Sequence, residues 1–143
     1  MATWVIEDIL ARSGRPGYPS QNVQLNEVDT WLKKISAMRI KTIICLLANK
    51  QLSYYSTIPK GLLEYYRQQG FRTEHIPITD PFDNKLLGQQ ELKNKRESIY
   101  LAFLELPKPV LVHSGAGLQR TGPTVEYIRK RWSEGFAPVD LIS

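Results

Sequence analysis

Sulfur is nearly absent from this chain. One cysteine, Cys45, stands among 143 residues, so no internal disulfide can form and no cysteine cluster can hold a metal. Long apolar stretches are missing too. No run approaches the ~20 residues needed to span a bilayer, and the opening Met1-Ala-Thr-Trp-Val-Ile-Glu-Asp lacks the basic region and apolar core of a signal peptide. These absences predict a cytoplasmic protein with no membrane partner. Internal repeats and low-complexity tracts are likewise missing, and the length suits a single domain spanning 1–143.

What is present is ordinary globular material, 42% hydrophobic and 23% charged residues. Nineteen Lys and Arg against fourteen Asp and Glu leave a formal charge of +5, which favours an anionic partner such as a phosphorylated protein, a nucleotide or RNA. The charges are scattered, at Lys33-Lys34, Lys93 to Arg96 and Arg129 to Arg131, as on solvated helix faces. Aromatic residues do not interleave with them as in single-strand binders. Both features argue against nucleic acid.

Hydrophobic periodicity divides the chain into alternating strands and helices. Trp4-Val-Ile and Ile9-Leu-Ala read as short strands, followed by a turn-rich segment, Arg12 to Pro19. The two arginines of that segment could rim an anion site, but a solvated turn is the simpler expectation. Leu25, Val28, Leu32 and Ile35 recur at helical spacing over 24–38. Ile40 to Leu47 is a nearly continuous apolar run, suited to a strand covered on both faces, with Cys45 as packing. A helix over 58–69, closed by Gly70, directs Leu62, Leu63 and Tyr66 inward. Tyr54-Tyr55 just before it fits either a recognition surface or loop packing. A strand over 71–78, a long helix over 88–106, a strand Val110 to His113 and a helix over 121–133 complete the order, with His75 as a structural residue. The expected fold class is α/β, a central, mostly parallel sheet flanked by helices.

Chemistry concentrates in Pro109 to Gly122. A buried strand delivers His113 and Ser114 into a small-residue loop, Gly115-Ala116-Gly117-Leu118-Gln119, which leads to Arg120, Thr121 and a helix. Glycines let backbone N–H groups converge, and the helix N-terminus adds partial positive charge, so the segment is an anion cradle. Arg120 adds a planar fork suited to phosphate. No lysine follows the glycines as a nucleotide P-loop requires, and Arg120 stands where a dinucleotide fingerprint has its third glycine.

What fits is His, one nucleophile position, five residues, Arg, Thr. This pattern resembles the cysteine-dependent protein tyrosine and dual-specificity phosphatases, whose signature is His-Cys-(five residues)-Arg-Ser/Thr. The resemblance implies a compact phosphatase-like fold over roughly residues 4 to 140. It also implies a general acid on an earlier loop, an aspartate after a strand often ending Ile-Pro-Ile-x-Asp. Here Ile76-Pro-Ile-Thr-Asp80 lies 34 residues before Ser114, making Asp80 the candidate acid and Asp83 the reserve. A turn-capping aspartate before Pro81 is the alternative for Asp80. In such enzymes the resemblance implies thiolate attack on phosphorus and Arg120 holding equatorial oxygens. Asp80 would protonate the leaving oxygen, Thr121 would assist thiolate departure, and His113 would tune the thiolate. No metal or organic cofactor is needed.

The departure is Ser114, standing where that signature has cysteine. A serine hydroxyl has no low-pKa anion to offer, and its neighbour His113 starts toward the opposite face of the strand. The chain as written is expected to bind phosphate and turn it over negligibly. One explanation is an engineered Cys-to-Ser substrate-trapping form of an active phosphatase. The other is a natural pseudophosphatase that binds phosphorylated partners. Retention of Asp80 beside Arg120 favours the first, since a pure binder has no use for the acid. Residues 115 to 119 lack Lys and Arg, which favours phosphoprotein or phosphopeptide substrates, phosphotyrosine first and phosphoserine or phosphothreonine second. An RNA 5′-triphosphatase shares the signature and is the runner-up. Phe136 to Ser143 reads as the start of a further helix.

Overall fold

The computed structural model describes residues 1–135; the helix start expected at Phe136 lies outside the described residues. Five strands form one sheet: β1 (Thr3–Ile6), β2 (Leu10–Ser13), β3 (Thr42–Cys45), β4 (Arg72–His75) and β5 (Val110–His113), in the order β1-β2-β5-β3-β4. Only β1 runs antiparallel, against β2; the β2–β5, β5–β3 and β3–β4 pairs are parallel. Among the described residues three helices lie between successive strands, α1 (Leu25–Ala37), α2 (Gly61–Gln68) and α3 (Lys85–Glu105), and a fourth, α4 (Thr121–Glu134), follows β5. The α/β class and the mostly parallel sheet agree with the sequence reading.

The period-2 geometry of strands explains why the runs at 43–47 and 110–112 are apolar throughout. Ile43, Cys45 and Leu111 point to one core, with Val28, Leu32 and Ile35 of α1 and Leu62 and Tyr66 of α2. Ile44, Leu46, Val110 and Val112 point to the other, with Leu92, Ile99 and Phe103 of α3 and Val125 and Ile128 of α4. Helices on both faces of a parallel sheet demand apolar residues on both. Burying each such side chain contributes about 1.5–3 kcal/mol.

Boundaries shift where local chemistry outweighs periodicity. Helix α3 begins at Lys85 because Asn84 caps it, its side-chain oxygen accepting from the Leu87 N–H at 3.1 Å. Its first turn exposes Leu86 and Leu87, so no apolar stripe announced it. Helix α2 ends as expected, with Gly70 in the left-handed region at φ 95°. Leu25, the first residue of the apolar stripe of α1, is exposed. A 3-10 helix at Asn49–Tyr55 was not anticipated, and it supplies a residue to the site.

Strand β5 lies between β2 and β3, although the chain reaches it last. The loop after β5 therefore opens at the carboxyl ends of the parallel strands, with the ends of β2 and β3 on either side. Open α/β sheets form their ligand crevices in such places.

Candidate active site

The segment from Ser114 to Arg120 turns tightly and feeds α4. Gly117 requires its glycine: φ is 87°, and an added Cβ would lie 2.9 Å from the backbone of Ser13 and Gly14. The loop is anchored to the end of β2 from several sides. Arg15 N–H donates to the Gly115 carbonyl at 2.7 Å, and Arg12 Nη2 donates to the Gly117 carbonyl. Among the described residues, no backbone acceptor takes the N–H groups of residues 115 to 119. They remain available to an anion at the start of a helix.

A cavity of about 460 Å³ opens over this loop, lined by Ser114, Gly115, Ala116, Leu118, Gln119 and Arg120 on one side and Asp80 and Asp83 on the other. Gly117, His113 and Thr121 do not line it; His113 and Thr121 are fully buried behind the loop. Ser114 is 1% exposed, and its Oγ lies 2.7 Å from Thr121 Oγ1. No histidine or carboxylate touches the Ser114 hydroxyl among the described residues. It has a hydroxyl partner but no base.

His113 is spoken for on both ring nitrogens. Nδ1 lies 3.2 Å from the Ser114 carbonyl, an acceptor, so Nδ1 carries the proton. Nε2 then accepts from the Tyr66 hydroxyl at 3.0 Å. Burial pulls His113 down to about 4 from its ordinary 6.5, with the Arg120 charge acting the same way. At neutral pH it is an uncharged imidazole, packed edge-on against Trp31 and Tyr66 at 5.4 and 5.9 Å between ring centres. It orients the strand end and does not reach the hydroxyl of Ser114.

Arg120 is 3% exposed. Its Nη1 donates to Gln51 Oε1 at 2.8 Å and to the Ile78 carbonyl at 3.1 Å. Among the described residues no hydrogen bond takes the Nε–Nη2 edge; Nη2 lies 3.8 Å from Asp80 Oδ2 and would sit 2.9 Å from a Cβ at Gly115. One edge of the fork is thus fastened to the protein and the other faces the loop, which suits bidentate binding of an oxyanion.

Asp80 makes the turn that was the alternative considered for it, and its carboxylate also lines the cavity. Oδ1 accepts from the Phe82 N–H at 3.0 Å, an Asx turn. Oδ2 accepts from Gln51 Nε2 at 3.2 Å and faces Arg120 across the cavity. Asp83 lines the same cavity but is ion-paired with Lys50. Gln51, from the 3-10 helix, bridges Arg120 and Asp80, and its Oε1 also accepts from the Ala48 N–H at 3.0 Å. Sequence reading missed it, because a lone glutamine in a polar segment carries no periodic or motif signal.

The solvated turn expected at Arg12 to Pro19 is corrected. Arg15 is 5% exposed and lines the cavity, its guanidinium packed over the Tyr18 and Tyr54 rings at 5.4 and 4.9 Å. Tyr55 is fully buried, donating to the Pro16 carbonyl at 2.7 Å. Of the tyrosine pair, Tyr55 packs and Tyr54 faces the cavity.

Cys45 is fully buried, and burial pushes its thiol up to about 12, so it is an inert thiol at neutral pH. His75 Nε2 lies 2.8 Å from the Leu47 carbonyl. Among the described residues, no group of three His, Cys, Asp or Glu is placed to hold a metal, and no helix is long and apolar enough to cross a membrane.

No protein-family model matches the chain, and no curated protein sequence does. Solved structures do. A mutant form of Tk-PTP aligns over 95% of this chain and 74% of its own, with a TM-score of 0.57 and 22% identity. Kinase associated phosphatase (KAP), with its catalytic-site cysteine substituted by serine, aligns over 92% of this chain and 70% of its own, with a TM-score of 0.59 and 23% identity. At such identities the likeness is one of fold. The chain has the α/β fold of these phosphatases.

Proposed function

We propose that this chain is a protein phosphatase of the cysteine-dependent, dual-specificity type, held inactive by serine at position 114, and that it binds phosphorylated protein or peptide in the 113–121 loop. The observation that carries the reading is the meeting of Ser114, the Nε–Nη2 edge of Arg120 and the Asp80 carboxylate in one cavity. Those groups come from the β5–α4 loop and the segment after β4.

In this reading the phosphate sits on the N–H groups of residues 115 to 119, with Arg120 supplying a fork that costs no reorganisation when charge moves. Asp80 stands across the cavity, where a leaving oxygen would emerge. The Thr121 hydroxyl lies 2.7 Å from that of Ser114, where either can donate, and a thiolate at position 114 would be favoured by the same hydroxyl, the loop amides and the helix N-terminus. Oxygen gains far less, because the loop's field cannot carry an alcohol to its anion at neutral pH. Binding persists and turnover does not.

A binding-only protein is the second reading, and the absence of any base beside the Ser114 hydroxyl favours it. Retention of Asp80, which binding does not need, supports an engineered or otherwise recent loss of the nucleophile instead. Ser114→Cys separates them: assayed on a generic aryl phosphate, the variant is expected to hydrolyse it where the parent chain does not. A folded variant without turnover would sink the enzyme reading and leave the binder. The native codon at position 114 decides whether the serine was introduced.

A further inference from the structure

Arg120 is not the only cation buried beside the cavity. Arg15 is as deeply placed, and no carboxylate is ion-paired with it among the described residues. Its one side-chain hydrogen bond is a long donation, 3.3 Å, to the Tyr55 hydroxyl. Burial raises the pKa of that phenol, so it stays neutral and cannot compensate the charge. No buried side-chain nitrogen among the described residues lacks a partner, so the remaining N–H groups of Arg15 open onto the cavity that it lines. The Tyr18 and Tyr54 rings hold the guanidinium plane, and the Arg15 N–H bond to the Gly115 carbonyl ties its backbone to the phosphate loop. A buried, uncompensated, pre-oriented fork is costly unless something anionic meets it.

We propose that Arg15 anchors a second anion subsite, which takes an acidic group next to the phosphorylated residue of the same peptide, either a second phosphate or a carboxylate. This rests on the reading of the 113–121 loop as a phosphate site. The mouth supports a peptide as the carrier: Tyr18, Phe82 and Leu118 line the cavity and are 53%, 92% and 67% exposed. They offer apolar contact to the residues between and beside the two anions. Arg120 has Asp80 at 3.8 Å to share its charge; Arg15 has no such neighbour, so it adds affinity only when the ligand brings the second anion.

The test uses the chain as it stands, since it should bind without consuming ligand. Three phosphotyrosine peptides of one sequence carry alanine, glutamate or phosphoserine beside the phosphotyrosine, and affinities are read by calorimetry. The acidic peptides should bind on the order of 10-fold more tightly than the alanine peptide, about one charge-assisted hydrogen bond. The phosphoserine peptide leading identifies phosphate as the second group; equal gains identify any oxyanion. Arg15→Met should erase the advantage, weakening the acidic peptides on the order of 10-fold relative to the alanine peptide. Arg15→Lys, a milder change should the methionine variant not fold, should shrink the advantage without removing it, because charge remains and the fork does not. Equal affinity for all three peptides would overturn the proposal. So would an equal weakening of all three in Arg15→Met, which would make Arg15 a support of the loop, or an undiminished advantage in Arg15→Lys. If even the alanine peptide fails to bind, the phosphate-site reading falls, and this inference with it.

Discussion

Replacing Arg120 with lysine is the sharpest test of the loop, because it preserves charge and removes geometry. In the folded chain the Arg120 Nη1 is committed to Gln51 and to the Ile78 carbonyl, at 2.8 and 3.1 Å. Only the Nε–Nη2 edge is free for phosphate. A lysine ammonium can either satisfy those two acceptors or reach over Gly115, but it cannot do both, since its three donors radiate from one point. If it stays with Gln51, phosphate loses both bonds of the fork; if it moves to phosphate, one bond is lost, the buried Ile78 carbonyl is left unmet and Gln51 Oε1 keeps only the Ala48 N–H. Each charge-assisted hydrogen bond contributes about 1.5–3 kcal/mol, so phosphopeptide affinity should fall on the order of 10- to 100-fold. Calorimetric titration of Arg120→Lys against a phosphotyrosine peptide measures this, with a thermal melt to show that the variant is folded. Unchanged affinity in a folded variant would refute the assignment of the anion site to this loop.

The Ser114→Cys background opens two further comparisons. There, Asp80→Asn should lose about 10²- to 10⁴-fold in turnover of aryl phosphates with poor leaving groups while retaining binding, the ordinary contribution of a general acid; a normal rate would shift the role to Asp83. In the parent chain, His113 predicts a pH dependence of stability. Its folded value, about 4, lies below its ordinary 6.5, so unfolded chains take up a proton that folded chains refuse. The stability it contributes is therefore present above pH 6.5 and is lost as pH falls toward 4, by about 3 kcal/mol at most. Urea midpoints between pH 7 and 4.5 should fall more steeply for the parent than for His113→Gln, and parallel slopes would remove His113 as the cause.

Much of the architecture could be read in advance because burial on two faces leaves a simple trace. Ile43 to Leu47 and Val110 to Val112 had to be apolar throughout, and a strand of that kind needs helices above and below it. Helix α3 was harder: its first turn is held by the Asn84 cap rather than by an apolar stripe, so periodicity started it too late. Arg15 was misjudged for a similar reason. Composition marks Arg12 to Pro19 as a turn, and turns are usually wet, but this one folds down against Gly115 and carries its arginine into the cavity.

By itself the sequence determined the spacing of the loop, the glycine at 117, the fork at 120 and the oxygen at 114, because a contiguous turn is written in adjacent residues. It also carried the lead into Asp80. Tertiary structure alone decided what stands around the loop. Gln51 lies 69 positions from Arg120 and Arg15 lies 100 positions from Gly115, and neither belongs to any local pattern. They meet the loop only because β5, reached last by the chain, is inserted between β2 and β3. That insertion gathers the segments after three parallel strands around a single cavity.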